Sequence, residues 1–87
     1  MSVIERLATP WQRRRVEVRE GLVFRARVQN GMLETARVLA VVADPMGISH
    51  VSYELTIERS EALRYDYRRT LNLESFIDRY QEPVGAA

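Results

Sequence analysis

The stretch from Glu34 to Glu58 alternates between apolar and polar residues on both sides of one turn, and the rest of the chain is read from it. Asp44-Pro45-Met46-Gly47 carries aspartate first, proline second and glycine fourth, as a type I turn prefers. The pattern predicts one long β-hairpin bent over that turn. Two registers compete. With Ala43 opposite Ile48, Ala40 faces Val51, Val38 faces Tyr53 and Ala36 faces Leu55 on one side, while Arg37 faces Glu54 and Thr35 faces Thr56 on the other. With Asp44 opposite Ile48, Arg37 falls opposite Leu55 and Glu54 opposite Val38. A one-residue slip exchanges the faces, and each good cross-strand pair contributes roughly 0.2–1 kcal/mol. The first register is therefore expected, because it keeps one face dry and pairs the charges. In it Leu39, Val41 and His50 point away from the dry face. Both arms exceed the usual ~5–6 residues, and strands of that length in a small chain must twist and bend.

The same reading extends outward. Val16 to Glu20 alternates and predicts a strand, with Gly21 as a break or bulge after it. Leu22, Phe24, Ala26 and Val28 share one side of the next strand, and Asn30-Gly31 is a strong turn signal. Beyond the hairpin, Leu63 to Arg68 alternates with Leu63, Tyr65 and Tyr67 on one side. Asn72 can cap a helix, and Leu73, Phe76, Ile77 and Tyr80 form one face of a short amphipathic helix. Pro83 stops it. The expected organisation is a single domain: an N-terminal segment over 1–12 with a short helical turn and Trp11 as an anchor, a sheet or barrel over 13–71, a helix over 72–81 and a tail over 82–87.

The expected fold is mainly β: a small, strongly bent antiparallel sheet or an SH3-like barrel of about five strands with a short C-terminal helix. Short strands, a long central hairpin and a final strand ending in a helical turn, from Leu22 to Tyr80, resemble the SH3-like small barrels. The proline-binding aromatics of signalling SH3 domains have no counterpart here. What the resemblance implies is a binding scaffold, since such barrels host protein, RNA and DNA recognition alike. The alternative is an open sheet of four or five strands that packs one face on the terminal helix.

Composition narrows the chemistry. An 87-residue chain makes one small domain with a thin core, in which an enclosed substrate cavity is not expected. It has no cysteine and one histidine, so neither a thiolate nor a multi-histidine metal centre is expected, and no cofactor. No apolar run approaches the ~20 residues that span a bilayer, and the N-terminus lacks the pattern of a signal peptide, so a cytoplasmic protein with no membrane partner is expected. All 13 basic residues are arginine, a usage that a GC-rich genome produces by default. The net charge is only +1, so any nucleic-acid affinity would need a local cluster.

Two clusters qualify as candidate binding surfaces. Leu39, Val41, Met46, Ile48 and His50 lie on the outer side of the hairpin near its tip, where apolar residues mark a partner surface unless the sheet curls over them. Arg13, Arg14, Arg15, Arg64, Tyr65, Arg68 and Arg69, with Tyr67 among them, combine phosphate-binding and base-stacking side chains, although Asp66, Glu17 and Glu61 lie close by. His50 and Asp44 flank the turn, but a catalytic dyad needs contact and a third group. Ser49 and Ser52 read as ordinary strand residues. The expectation is a non-enzymatic interaction module that engages a protein partner or forms a homodimer through the hairpin's outer face or a sheet edge. The competing expectation is a small nucleic-acid-binding protein that uses the arginine–tyrosine cluster.

Overall fold

The alternating segments become strands, and their apolar sides meet under one short helix. A computed structural model describes residues 17–29, 31–60 and 63–86. The elements are β1 (Leu22–Gln29), β2 (Met32–Ala43), β3 (Ser49–Ser60), β4 (Leu63–Asn72), α1 (Leu73–Arg79) and β5 (Glu82–Ala86). They form one five-stranded sheet in the order β4-β3-β2-β1-β5, with every neighbouring pair antiparallel. β4 and β5 occupy opposite edges, so the sheet is open: the expected mainly β fold of about five antiparallel strands with a short helix forms as a sheet and not as a closed barrel.

That topology explains α1. Four strands run as a meander, and the chain must then cross the sheet to place β5 beside β1. Four inter-strand spacings amount to roughly 19 Å. The seven residues of α1 rise about 10 Å, and the two residues before β5 add about 7 Å if extended. Asn72 starts the helix by accepting a hydrogen bond from Ser75 N through Oδ1 at 2.8 Å. Phe76 and Tyr80 are then buried against Phe24, Ala36, Val38, Val51, Tyr53 and Leu55. The rings meet mostly edge to face: Phe76 lies 5.6 Å from Phe24 and 5.0 Å from Tyr53 between centroids. Tyr53 and Tyr80 join their hydroxyls at 3.1 Å. Arg79 Nε donates to the Tyr80 hydroxyl at 3.2 Å, and Arg79 Nη2 donates to both oxygens of Glu34 at 3.0 Å. A chain of polar contacts thus leads from the buried tyrosines to the surface. Burial, and then the bond to Tyr80, push the Tyr53 phenol well above its ordinary pKa, so it stays protonated.

The central hairpin uses both registers that the sequence allows. From Leu33 to Val38 the pairs follow the first, with Ala36 opposite Leu55, Arg37 opposite Glu54 and Val38 opposite Tyr53. From Ala40 to Ala43 they follow the second: Ala40 opposes Ser52, Val41 opposes Val51 and Val42 opposes His50. Leu39 is the extra residue, left without a partner at a β-bulge. The cause lies at the turn. Asp44 N donates to Ile48 O at 2.8 Å and Gly47 N to Asp44 O at 2.9 Å. Pro45, Met46 and Gly47 therefore make a three-residue loop, with Gly47 at φ 84°, where glycine is favoured. This loop demands Asp44 opposite Ile48. The Arg37–Glu54 pair and the dry Ala36–Val38 side demand the other register. The bulge satisfies both.

Several expectations change accordingly. The single register with Ala43 opposite Ile48 does not hold near the tip. Val41 does not point outward: opposite Val51, it packs against the core. Residues 82–86, expected as a tail, pair with β1 as β5. Glu17 to Arg19 are not in a strand, and Glu20-Gly21 is a turn from which Gly21 N donates to Val38 O at 2.9 Å, beside the bulge. The helix spans 73–79 within the expected 72–81. The turn at Asn30-Gly31 is supported by the Gln29–Met32 pair that flanks it and by Gly31 at φ 72°, although Asn30 itself lies outside the described residues. The N-terminal helical turn, Trp11, Arg13, Arg14, Arg15 and Val16 also lie outside them.

Candidate functional site

Because side chains alternate along β2 and β3, the bulge decides what the hairpin tip displays. Past Leu39, Val41 turns to the core and Val42 turns to solvent. Val42 is 62% exposed, Met46 85% and Ile48 50%. Of the five residues expected on this surface, Met46 and Ile48 are displayed, Leu39 and His50 are partly buried, and Val41, also partly buried, packs against the core. Val42 is the residue that the sequence reading missed. Its signal was the second register, in which Val42 opposes His50.

Asp44 holds this tip in shape. Its Oδ1 accepts hydrogen bonds from Met46 N and Ile48 N, each at 2.9 Å. His50 Nε2 donates to Oδ2 at 2.9 Å. The bond from His50, followed by those from the Ile48 and Met46 amides, holds the Asp44 carboxyl below its ordinary pKa. The His50–Asp44 contact meets the first requirement of a dyad. Together with the two amide bonds, this contact clamps the turn.

The arginine–tyrosine candidates separate. In β4, Tyr65 opposes Ile57, Tyr67 opposes Leu55 and Arg69 opposes Tyr53, so these three lie on the helix side of the sheet. Arg64 opposes Glu58 and Arg68 opposes Glu54, on the far side. There Arg37 Nη2 donates to Glu54 Oε1 at 2.6 Å, Thr56 Oγ1 donates to Asp66 Oδ1 at 2.9 Å, and Arg64 lies 3.8 Å from Asp66. The far side is therefore a row of mixed charges. On the helix side, α1 leaves Tyr65 and Tyr67 52% and 50% exposed, with their rings stacked at 6.4 Å.

A groove of about 810 Å³ lies between β1, the end of α1 and the start of β5, lined in part by Arg25, Leu33, Asp78, Arg79 and Glu82. Charges of both signs line it, and Arg25 Nε is buried there without a hydrogen-bond partner. Among the described residues no group of three or more histidine, aspartate or glutamate side chains is placed to hold a metal ion. No described helix is long and apolar enough to cross a membrane. Comparison of the chain with protein-family models, with curated proteins and with solved structures gives no match.

Proposed function

We propose that this chain is a non-enzymatic protein-interaction module and that the hairpin tip is its contact surface. The observation that carries the reading is an apolar tip with a clamped backbone: Val42, Met46 and Ile48 face solvent while three hydrogen bonds to Asp44 fix the turn beneath them. Exposed apolar groups cost free energy in water and are released from it by a partner. A tip that is already ordered loses little conformational entropy on binding. The partner that fits is a protein with an apolar cleft able to admit the Met46 side chain. A cytoplasmic setting belongs to the same proposal.

In an extract of its native cells, the wild-type chain should elute in a complex larger than the purified protein. The Val42→Asp/Ile48→Asp double variant, folded and equally stable, should elute where the purified variant does. If the wild-type chain elutes at its purified position, or the variant's complex persists, the reading fails.

Nucleic-acid binding is the second reading, favoured by the stacked, exposed Tyr65 and Tyr67 with Arg69 on the same side of β4. It is the weaker one, because Arg64 and Arg68 lie on the opposite side among carboxylates.

A further inference from the structure

We propose that β4 pairs antiparallel with β4 of a second copy, about a two-fold axis through Tyr67, so that two sheets become one. This surface is separate from the hairpin tip, and the inference does not rest on the function proposed above.

The two sheet edges differ. β5 has five residues and includes Pro83 and Gly85, which disfavour a further strand. β4 has ten residues, with no proline, glycine or lysine, and among the described residues it has no strand on its outer side. Its charges alternate in sign on the far side of the sheet, as Arg64, Asp66 and Arg68.

The sequence of β4 selects the partner and the register. A two-fold axis normal to the sheet keeps the helix sides of both copies together, so only residues of the same face can meet. Centring the pair on Asp66 sets aspartate against aspartate and Arg64 against Arg68. Centring it on Arg68 sets arginine against arginine. Centring it on Tyr65 pairs Arg64 with Asp66 but overlaps only half the strand. Centring it on Tyr67 pairs Asp66 with Arg68 twice. On the helix side it sets Tyr67 against Tyr67, Tyr65 against Arg69 and Leu63 against Leu71. Every charge then meets an opposite charge, an aromatic ring or a neutral group. It also covers Leu63, Tyr65 and Tyr67, all left exposed in the single chain.

The absence of cysteine allows a direct test. Directly opposed residues in an antiparallel pair have Cα atoms about 4.5–5.5 Å apart, within disulfide reach. Tyr65 would lie roughly 13 Å from its own copy. The wild-type protein should sediment as a dimer, and Tyr67→Cys should form a linked dimer under mild oxidation while Tyr65→Cys does not. Asp66→Arg should weaken the dimer at least about tenfold, and adding Arg68→Asp should restore it, with circular dichroism confirming that each variant is folded. A wild-type monomer at about 1 mM, where even weak pairs associate, would overturn the proposal. So would linkage at position 65 in place of 67, or a charge exchange that restores nothing.

Discussion

Asp44 accepts three hydrogen bonds through one carboxylate, two from amides within the turn and one from His50 across it. Only the ionised form accepts all three without competition from its own proton. Its pKa is lowered in the folded chain, so its contribution is present above the ordinary aspartate value of ~3.9 and is lost as pH falls through the lower folded value. The amide proton shifts of Met46 and Ile48 should therefore titrate with a midpoint below ~3.9, and Asp44→Ala should speed hydrogen exchange at both amides. A midpoint at or above ~3.9 would contradict this. At this scale the sequence was informative about turn chemistry, since aspartate, proline and glycine announce themselves locally. It left the His50 contact open, because six residues of hairpin must first take one particular register.

The long hairpin shows where pattern reading stops. Both registers were legible, and each was partly right. Choosing one assumes that a strand keeps a single register throughout its length, whereas one unpaired residue lets turn chemistry govern the tip and charge pairing govern the base. Deleting Leu39 should therefore leave every remaining β2–β3 pair and both faces intact. Deleting Arg37 should break the alternation between the bulge and the Ala36–Leu55 pair. The Leu39 deletion should retain a cooperative thermal transition and native near-ultraviolet circular dichroism, and the Arg37 deletion should lose them; the opposite outcome would contradict the role given to Leu39. β5 was not legible at all. Glu82-Pro83-Val84-Gly85-Ala86 has no alternation and two strand-disfavouring residues, and it becomes a strand because β1 offers an open edge. Its existence is a property of the partner strand more than of its own sequence.

For the whole molecule, the sequence revealed a mainly β fold, the core side of β1 to β3 and the helix that covers it, whereas Leu63, Tyr65 and Tyr67 of β4, read as facing the core, stay exposed. It left open whether the sheet closes, because closure depends on where α1 delivers the last strand. Delivery to the edge opposite β4 leaves the sheet open, covers its centre and exposes Tyr65 and Tyr67 at one margin. It also separates the arginines of β4 onto two faces, which alternation implied but a linear cluster of residue types concealed. At the hairpin tip the bulge turns Val41 into the molecule and Val42 out of it. Denaturant unfolding of Val41→Asp and Val42→Asp tests this most directly. A charge set against the core is costly, while exposed positions usually tolerate change. Val41→Asp should lose at least about 2 kcal/mol more stability than Val42→Asp; equal losses, or a larger loss at Val42, would contradict the account.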